Sequence, residues 1–175
     1  MKNWLFALLI GVPAVAVAGD NMTGGFYLGG GIAQADFRYK DKPEGAKDSK
    51  IEVWYAEELL AGFKVNPFVG VEGRIGGGAG DSDLVYASLY YRTESSNDTA
   101  KTYLLFGYTA GQNMDDDEDA NIYGPSYGAG VGFPVTPSLN FNLEYRMILD
   151  GRAKVDDNST RVRMGGFTVN VDYRF

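Results

Sequence analysis

The chain ends on an alternation that is kept to its last residue. In "VNVDYRF", Val169, Val171, Tyr173 and Phe175 are apolar or aromatic, and Asn170, Asp172 and Arg174 between them are polar or charged. Chain ends ordinarily fray and carry little pattern. A period of two describes a strand with one apolar and one polar face, and something must cover the apolar face right up to Phe175. The preceding stretch obeys the same rule. Leu139, Phe141, Leu143, Tyr145, Met147 and Leu149 alternate with Asn140, Asn142, Glu144 and Arg146.

Read with this period, the chain divides into eight segments: 25–39, 51–65, 68–76, 84–94, 100–109, 122–135, 138–149 and 161–175. Each reaches the roughly 9–11 residues that a tilted strand needs to cross a bilayer, against about 5–6 for a strand of a soluble protein. Helical periodicity is nearly absent. The connections alternate in length. Asn66-Pro67, the stretch 95–99 and Thr136-Pro137 are tight turns, whereas "KDKPEGAKDSK", "GGAGDSD", "GQNMDDDEDAN" and "DGRAKVDDNST" are longer and hydrophilic. In an antiparallel up-and-down sheet this places every short turn at one end and every long loop at the other.

The N-terminus supplies a compartment. Lys2 precedes an apolar run from Trp4 to about Val15, and Ala16-Val17-Ala18 gives a small-x-small cleavage site. This is the layout of a secretory signal peptide; a membrane-spanning helix needs roughly 20 apolar residues. The expected domains are therefore a signal peptide at 1–18 and a single barrel at 19–175. The chain has no cysteine and a net charge of −7, which becomes one unit more negative once Lys2 is removed. An exported chain of this length can fold as one domain without disulfides, and an acidic chain is a poor partner for nucleic acid.

The faces of the sheet decide its surroundings. Glu72 and Arg74 oppose Val69, Val71 and Ile75, and Gly128, Gly130 and Gly132 oppose Tyr127, Ala129, Val131 and Phe133. Glycines and paired charges fit a narrow interior, whereas large aromatics from every strand do not. The polar face therefore points inward and the apolar face outward, the reverse of a soluble lipocalin-like barrel. Aromatics near strand ends (Phe26, Tyr27, Phe63, Phe68, Tyr91, Phe133, Tyr173 and Phe175) are expected in the interfacial girdles of a membrane barrel. The faces of the first, second and fifth strands are ambiguous: "YLLF" is apolar throughout, and Glu57 falls on the lipid side. The expected fold is all-β, an eight-stranded antiparallel up-and-down transmembrane barrel with short periplasmic turns and long extracellular loops.

These residues support a resemblance. "FKVNPFVGVEGRIG", "VTPSLNFNLEYRM" and the closing "YRF" resemble the second hairpin, seventh strand and last strand of the small OmpA-type outer-membrane barrels, the opacity-like group often described as outer membrane protein beta-barrel domains. The resemblance covers 19–175. It implies a Gram-negative outer membrane location and a monomer in contact with lipid and lipopolysaccharide. It also implies that Val169, Val171, Tyr173 and Phe175 form the signal read by the barrel-assembly machinery. The charged gate of the family's best-known member is not reproduced: Glu72 matches its third-strand acid, but Gly132 and Asn142 stand at other gate positions.

Glu58, Lys64, Glu72, Arg74, Glu144, Arg146, Asp172 and Arg174 form the expected lumenal charge network. They suit either an ion path or a plug of mutual salt bridges. An eight-stranded barrel is only just wide enough for its own side chains, which favours the plug. The enzymatic outer-membrane barrels rely on a His in acid-base work, and this chain has none. Ser88, Ser126 and Ser138 therefore lack the base a serine nucleophile needs, and no catalytic residue, cofactor or resident metal is expected. The acidic run Asp115–Asp119 has the carboxylates but not the pattern of a calcium loop. The expected role is non-enzymatic and structural, in envelope integrity. A loop-borne adhesin or ligand-binding protein and a narrow low-conductance pore are the alternatives.

Overall fold

The structure is a computed structural model that describes residues 24–39, 52–78, 84–95, 99–115, 118–155 and 158–175. The expected signal at 1–18 and the loop at 40–50 lie outside these residues. Eight strands follow in chain order: β1 Gly25–Tyr39, β2 Glu52–Asn66, β3 Val69–Gly78, β4 Leu84–Glu94, β5 Lys101–Asp115, β6 Glu118–Pro134, β7 Leu139–Val155 and β8 Asn158–Arg174. Each pairs antiparallel with its neighbour, and β8 pairs with β1, which closes the barrel. The seam runs to the terminus, where the Phe175 amide donates to the Phe26 carbonyl at 3.0 Å. Closure leaves no sheet edge, the condition for a sheet in hydrocarbon.

Two tight turns use one local device. Asn66 Oδ1 accepts from the amides of Phe68 and Val69 at 2.8 and 2.9 Å, and Thr136 Oγ1 accepts from those of Ser138 and Leu139 at 3.3 and 3.0 Å. A short polar side chain ahead of a proline holds the amides that the turn leaves unpaired. Both turns, Ser95 and Thr99 between β4 and β5, Gly25 and Phe175 share one end of the molecule.

At the other end the structure corrects the expected loops. The β5–β6 ladder continues to Asp115↔Glu118, and the β7–β8 ladder to Val155↔Asn158. "GQNMDDDEDAN" and "DGRAKVDDNST" are therefore mostly strand. Beyond the bilayer both faces of a hairpin can be wet, so hydrophilic composition there does not signal the loss of backbone pairing.

The outward row is apolar: Phe26, Ile75 and Phe167 are 66, 62 and 67% exposed. A continuous belt of this kind needs a non-aqueous cover, and lipid is that cover. β5 resolves as Tyr103 and Leu105 inward with Leu104 and Phe106 outward, and Glu57 does face outward. Two expected assignments change. Tyr27 is buried in the lumen rather than in a girdle. It pairs directly with Gly62, whose missing side chain leaves room for the ring. Leu149 also turns inward, because the β7–β8 register shifts between Met147 and Leu149. That bulge places Ile148 and Leu149 both inside, as a single inserted residue does.

Candidate functional site

The interior has two layers. Toward the loop end it is apolar: Ala33, Ala35, Trp54, Tyr86, Ile122, Leu149, Val162 and Met164 belong to one buried cluster. Toward the turn end it is charged and hydrogen-bonded across the bore, with Arg92 Nε, Asn142 Oδ1, Arg146 Nε and Thr168 Oγ1 left without a hydrogen-bond partner among the described residues. Beyond Tyr27 the inward row of β1 is small over Gly29, Gly31, Ala33 and Ala35, which leaves that part of the bore to long side chains from the other strands.

Arg74 is the hub. Its guanidinium donates bidentately to Glu144 at 2.8 and 2.7 Å, through Nε to Glu72 at 2.6 Å, and to Glu58 at 3.4 Å. β3 and β7 lie on opposite walls of the eight-stranded ring, so the Arg74–Glu144 pair spans the lumen. Arg146 bonds Glu58 from β7, and Arg92 donates to Glu72 at 2.8 Å. Each glutamate also takes a tyrosine hydroxyl: Tyr27 donates to Glu72 and Tyr103 to Glu144, both at 2.7 Å, and Tyr86 donates to Glu58. Arg92 lies over the Tyr103 ring, 3.8 Å from its centroid. Charge-assisted bidentate bonds are the strong ones, and a buried ion pair is tolerable only when its remaining donors and acceptors are also met.

A second cluster closes the turn end. Asp172 accepts from Asn140 at 2.9 Å, Asn142 at 2.6 Å and Arg174 at 3.3 Å. Glu94 takes Arg174 at 3.0 Å and pairs with Lys64. Asn142 and Asn170 join the two clusters, since Asn142 donates to Asn170 and Asn170 donates to Glu144, both at 2.8 Å.

All eight expected lumenal charges thus face inward, in two groups. Glu58, Glu72, Arg74, Glu144 and Arg146 share the hub, and Lys64, Asp172 and Arg174 share the turn-end cluster. Sequence reasoning missed Arg92 and Glu94, although both share the parity of Ser88 on β4. It also missed the three tyrosines, each of which lies opposite a glycine: Tyr27↔Gly62, Tyr86↔Gly76 and Tyr103↔Gly130. That cross-strand pairing was the available signal, and it needs the register to be seen. Beside β6, Arg146 fills the space next to Gly128 and Tyr103 that next to Gly130; Lys64 does not reach it.

Ser88 shares a 2.6 Å hydrogen bond with Thr109, and Ser126 a 2.5 Å hydrogen bond with Tyr90. Among the described residues no three metal-ligating side chains gather. The side chains of Asp115–Asp119 lie outside those described. The outward residues Val169, Val171, Tyr173 and Phe175 line the seam on the lipid side, and the last two stack edge to face at 5.2 Å.

Several solved barrels share this architecture. Ail, the attachment invasion locus protein of Yersinia pestis, is 22% identical with a TM-score of 0.58, over 88% of this chain and 100% of Ail. Neisserial surface protein A is 19% identical with a TM-score of 0.60, over 86% and 97%. OprG of Pseudomonas aeruginosa is 15% identical with a TM-score of 0.61, over 89% and 97%. No curated protein matches by sequence. The profile of the family described as outer membrane protein beta-barrel domain matches residues 4–175. With a closed eight-stranded barrel, a lipid-facing apolar belt and a match over nearly the whole sequence, the chain belongs to that outer-membrane β-barrel family.

Proposed function

We propose that this chain is a non-enzymatic, monomeric barrel of the Gram-negative outer membrane, exported by cleavage after Ala18, that contributes to envelope integrity and passes no solute. The observation that carries the reading is the Arg74–Glu144 bridge across the bore. It is backed by Arg146–Glu58 beneath an apolar layer. A lumen filled at two levels by its own side chains is a strut rather than a path; water-filled barrels need about 16–18 strands. The partners on this reading are outer-membrane lipid and lipopolysaccharide, and the assembly machinery through Val169, Val171, Tyr173 and Phe175.

Purified barrel in a planar bilayer should give no stable porin-size conductance, and cells lacking it should become sensitive to detergent. Long-lived large openings at low protein density would overturn the closed lumen. Unchanged detergent resistance would overturn the envelope role.

A second reading is loop-borne binding at the cell surface. It draws on Ail, whose structure was determined with the heparin analogue sucrose octasulfate. A variant shortened in 40–50 and 79–83 separates the two. Lost binding to heparin-coated surfaces with intact detergent resistance supports the second reading, whereas unchanged binding in the shortened variant counts against it.

A further inference from the structure

The lipid-facing wall is not evenly filled. Thr93, Leu104, Ala129, Tyr145 and Phe167 form one outward ladder row from β4 to β8. Thr102, Val131, Leu143 and Val169 form the row beside it on the turn-end side. Among these larger neighbours the single methyl of Ala129 leaves a hollow. An open, mostly apolar groove of about 820 Å³ passes over it and reaches Ser95.

The course of the groove follows from barrel geometry. Strands in a barrel tilt by about 35–45°, so a row across them climbs. Thr93 stands beside Glu94, the last residue of β4, whereas Phe167 lies well inside β8. The groove therefore starts at the turn end and rises obliquely into the belt. Tyr145 and Phe167, edge to face at 5.1 Å, close its upper end. Between β4 and β8, four interstrand spacings of about 4.8 Å give a length of roughly 19 Å. Half of a hydrocarbon core about 30 Å thick is about 15 Å, so one acyl chain of a single leaflet, laid obliquely, fills the groove.

The foot has a different chemistry. It carries the hydroxyls of Thr93, Ser95 and Thr102. Ser95 Oγ accepts from the Thr102 amide at 3.0 Å and keeps its own hydrogen to donate. Among the described residues no outward side chain at the turn end is charged; Lys64, Glu94, Lys101 and Arg174 turn into the lumen. Outward cations stand at the opposite end, where Arg38 is opposite Arg163 and Arg161 is opposite Arg152. Hydroxyls without a cation suit phosphate and ester oxygens whose charge is balanced within the ligand itself. A headgroup of net negative charge would find no counter-ion there, in a chain whose own net charge is −7.

We propose that this groove holds one acyl chain of a zwitterionic glycerophospholipid from the turn-end leaflet, with the glycerol and phosphate oxygens on Thr93, Ser95 and Thr102. The site deepens the proposed function by naming a lipid that the barrel engages, and it rests on the outward row facing a bilayer. Detergent sensitivity of cells lacking the barrel reads the envelope role, whereas lipid retention by purified barrel reads the site, so either can fail alone.

Folded barrel in mild detergent is titrated with phosphatidylethanolamine, with phosphatidylglycerol of the same acyl chains and with bisphosphorylated lipid A, and bound lipid is read by native mass spectrometry. Phosphatidylethanolamine should be retained at least fivefold more tightly than either of the others. Ala129→Trp fills the groove and should lose at least tenfold in that affinity. Ala61→Trp, on the outward face of β2 and away from the groove, should lose none. Thr93→Val/Thr102→Val keeps the apolar walls and should lose severalfold, together with the preference over phosphatidylglycerol. Heat-modifiable gel migration checks that each variant is folded. Equal retention of phosphatidylglycerol or of lipid A would overturn the proposal, as would full affinity in Ala129→Trp or an equal loss in Ala61→Trp. Paired barrels without bound lipid would assign the groove to a second copy of the chain and overturn it as well. An unchanged preference in the threonine variant would overturn the contacts at the foot.

Discussion

Three tyrosines reach into the lumen because a glycine faces each of them. A side chain added at Gly130 would run into the Tyr103 ring, which delivers a hydroxyl to Glu144 at 2.7 Å. Gly130→Val should therefore destabilise the barrel by about 1–3 kcal/mol, the usual cost of overfilling a tight interior. Gly130→Val combined with Tyr103→Leu should recover part of that loss. Urea titration followed by gel mobility measures both. Arg74 poses the opposite problem. It is 1% exposed and holds three carboxylates, so Arg74→Met leaves buried charge uncompensated and should cost about 3–5 kcal/mol. Adding Glu144→Gln should return a measurable fraction, because one of the stranded charges is then gone. A double variant no more stable than the single would show that the two residues are not coupled.

The bulge in β7 separates two leucines of like appearance. Leu143 faces lipid and Leu149 is fully buried in the apolar layer. Lipid can fill the space left by Leu143→Ala, whereas Leu149→Ala leaves a cavity among fixed neighbours. The expected losses are well under 1 kcal/mol for the first and about 2–5 kcal/mol for the second. Equal losses in a denaturant titration would argue that Leu149 faces lipid. At the seam, Phe175 contributes its backbone to β1 and its ring to the belt beside Tyr173. Phe175→Asp keeps the backbone pair but puts a carboxylate at the bilayer boundary. Folded barrel in the outer-membrane fraction should fall severalfold, and a normal folded fraction would show that the terminal ring is dispensable.

Across the whole molecule the lumen is closed by two layers of different chemistry, and neither alone leaves a bore when the other stays. Arg146→Ala by itself should leave conductance near background, since the apolar layer persists above it. Combined with Tyr86→Ala and Met164→Ala it should open a small, cation- and anion-permeable path in planar bilayers. A silent triple variant would mean that the remaining side chains collapse into the space. The layers also explain how the charged residues are tolerated. Glu58, Glu72 and Glu144 meet Arg74, Arg92 and Arg146 in equal number, so the hub is neutral where water is scarce.

Period two in 139–147 and 167–175 was enough to read these strands, their inward charges and the apolar belt, because a closed sheet with lipid outside imposes one rule on every crossing. Glu72, Arg74, Glu144, Arg146, Asp172 and Arg174 were legible from such alternation, whereas Glu58 and Lys64 stand on β2, whose faces the sequence left ambiguous. Composition misled where the rule lapses: above the belt the outward face meets water rather than lipid, so 111–115, 118–121, 150–155 and 158–160 read as loop although their backbones stay paired. Leu149 and Tyr27 were misplaced for a different reason. One depends on a single inserted residue, the other on a glycine in the neighbouring strand, and a parity count along one strand registers neither. The Arg74–Glu144 bridge and the Arg38–Arg163 opposition lie further still from the sequence. They exist only when closure and register bring together residues from different strands, and the ladder geometry, rather than any local pattern, sets which charges attract and which repel.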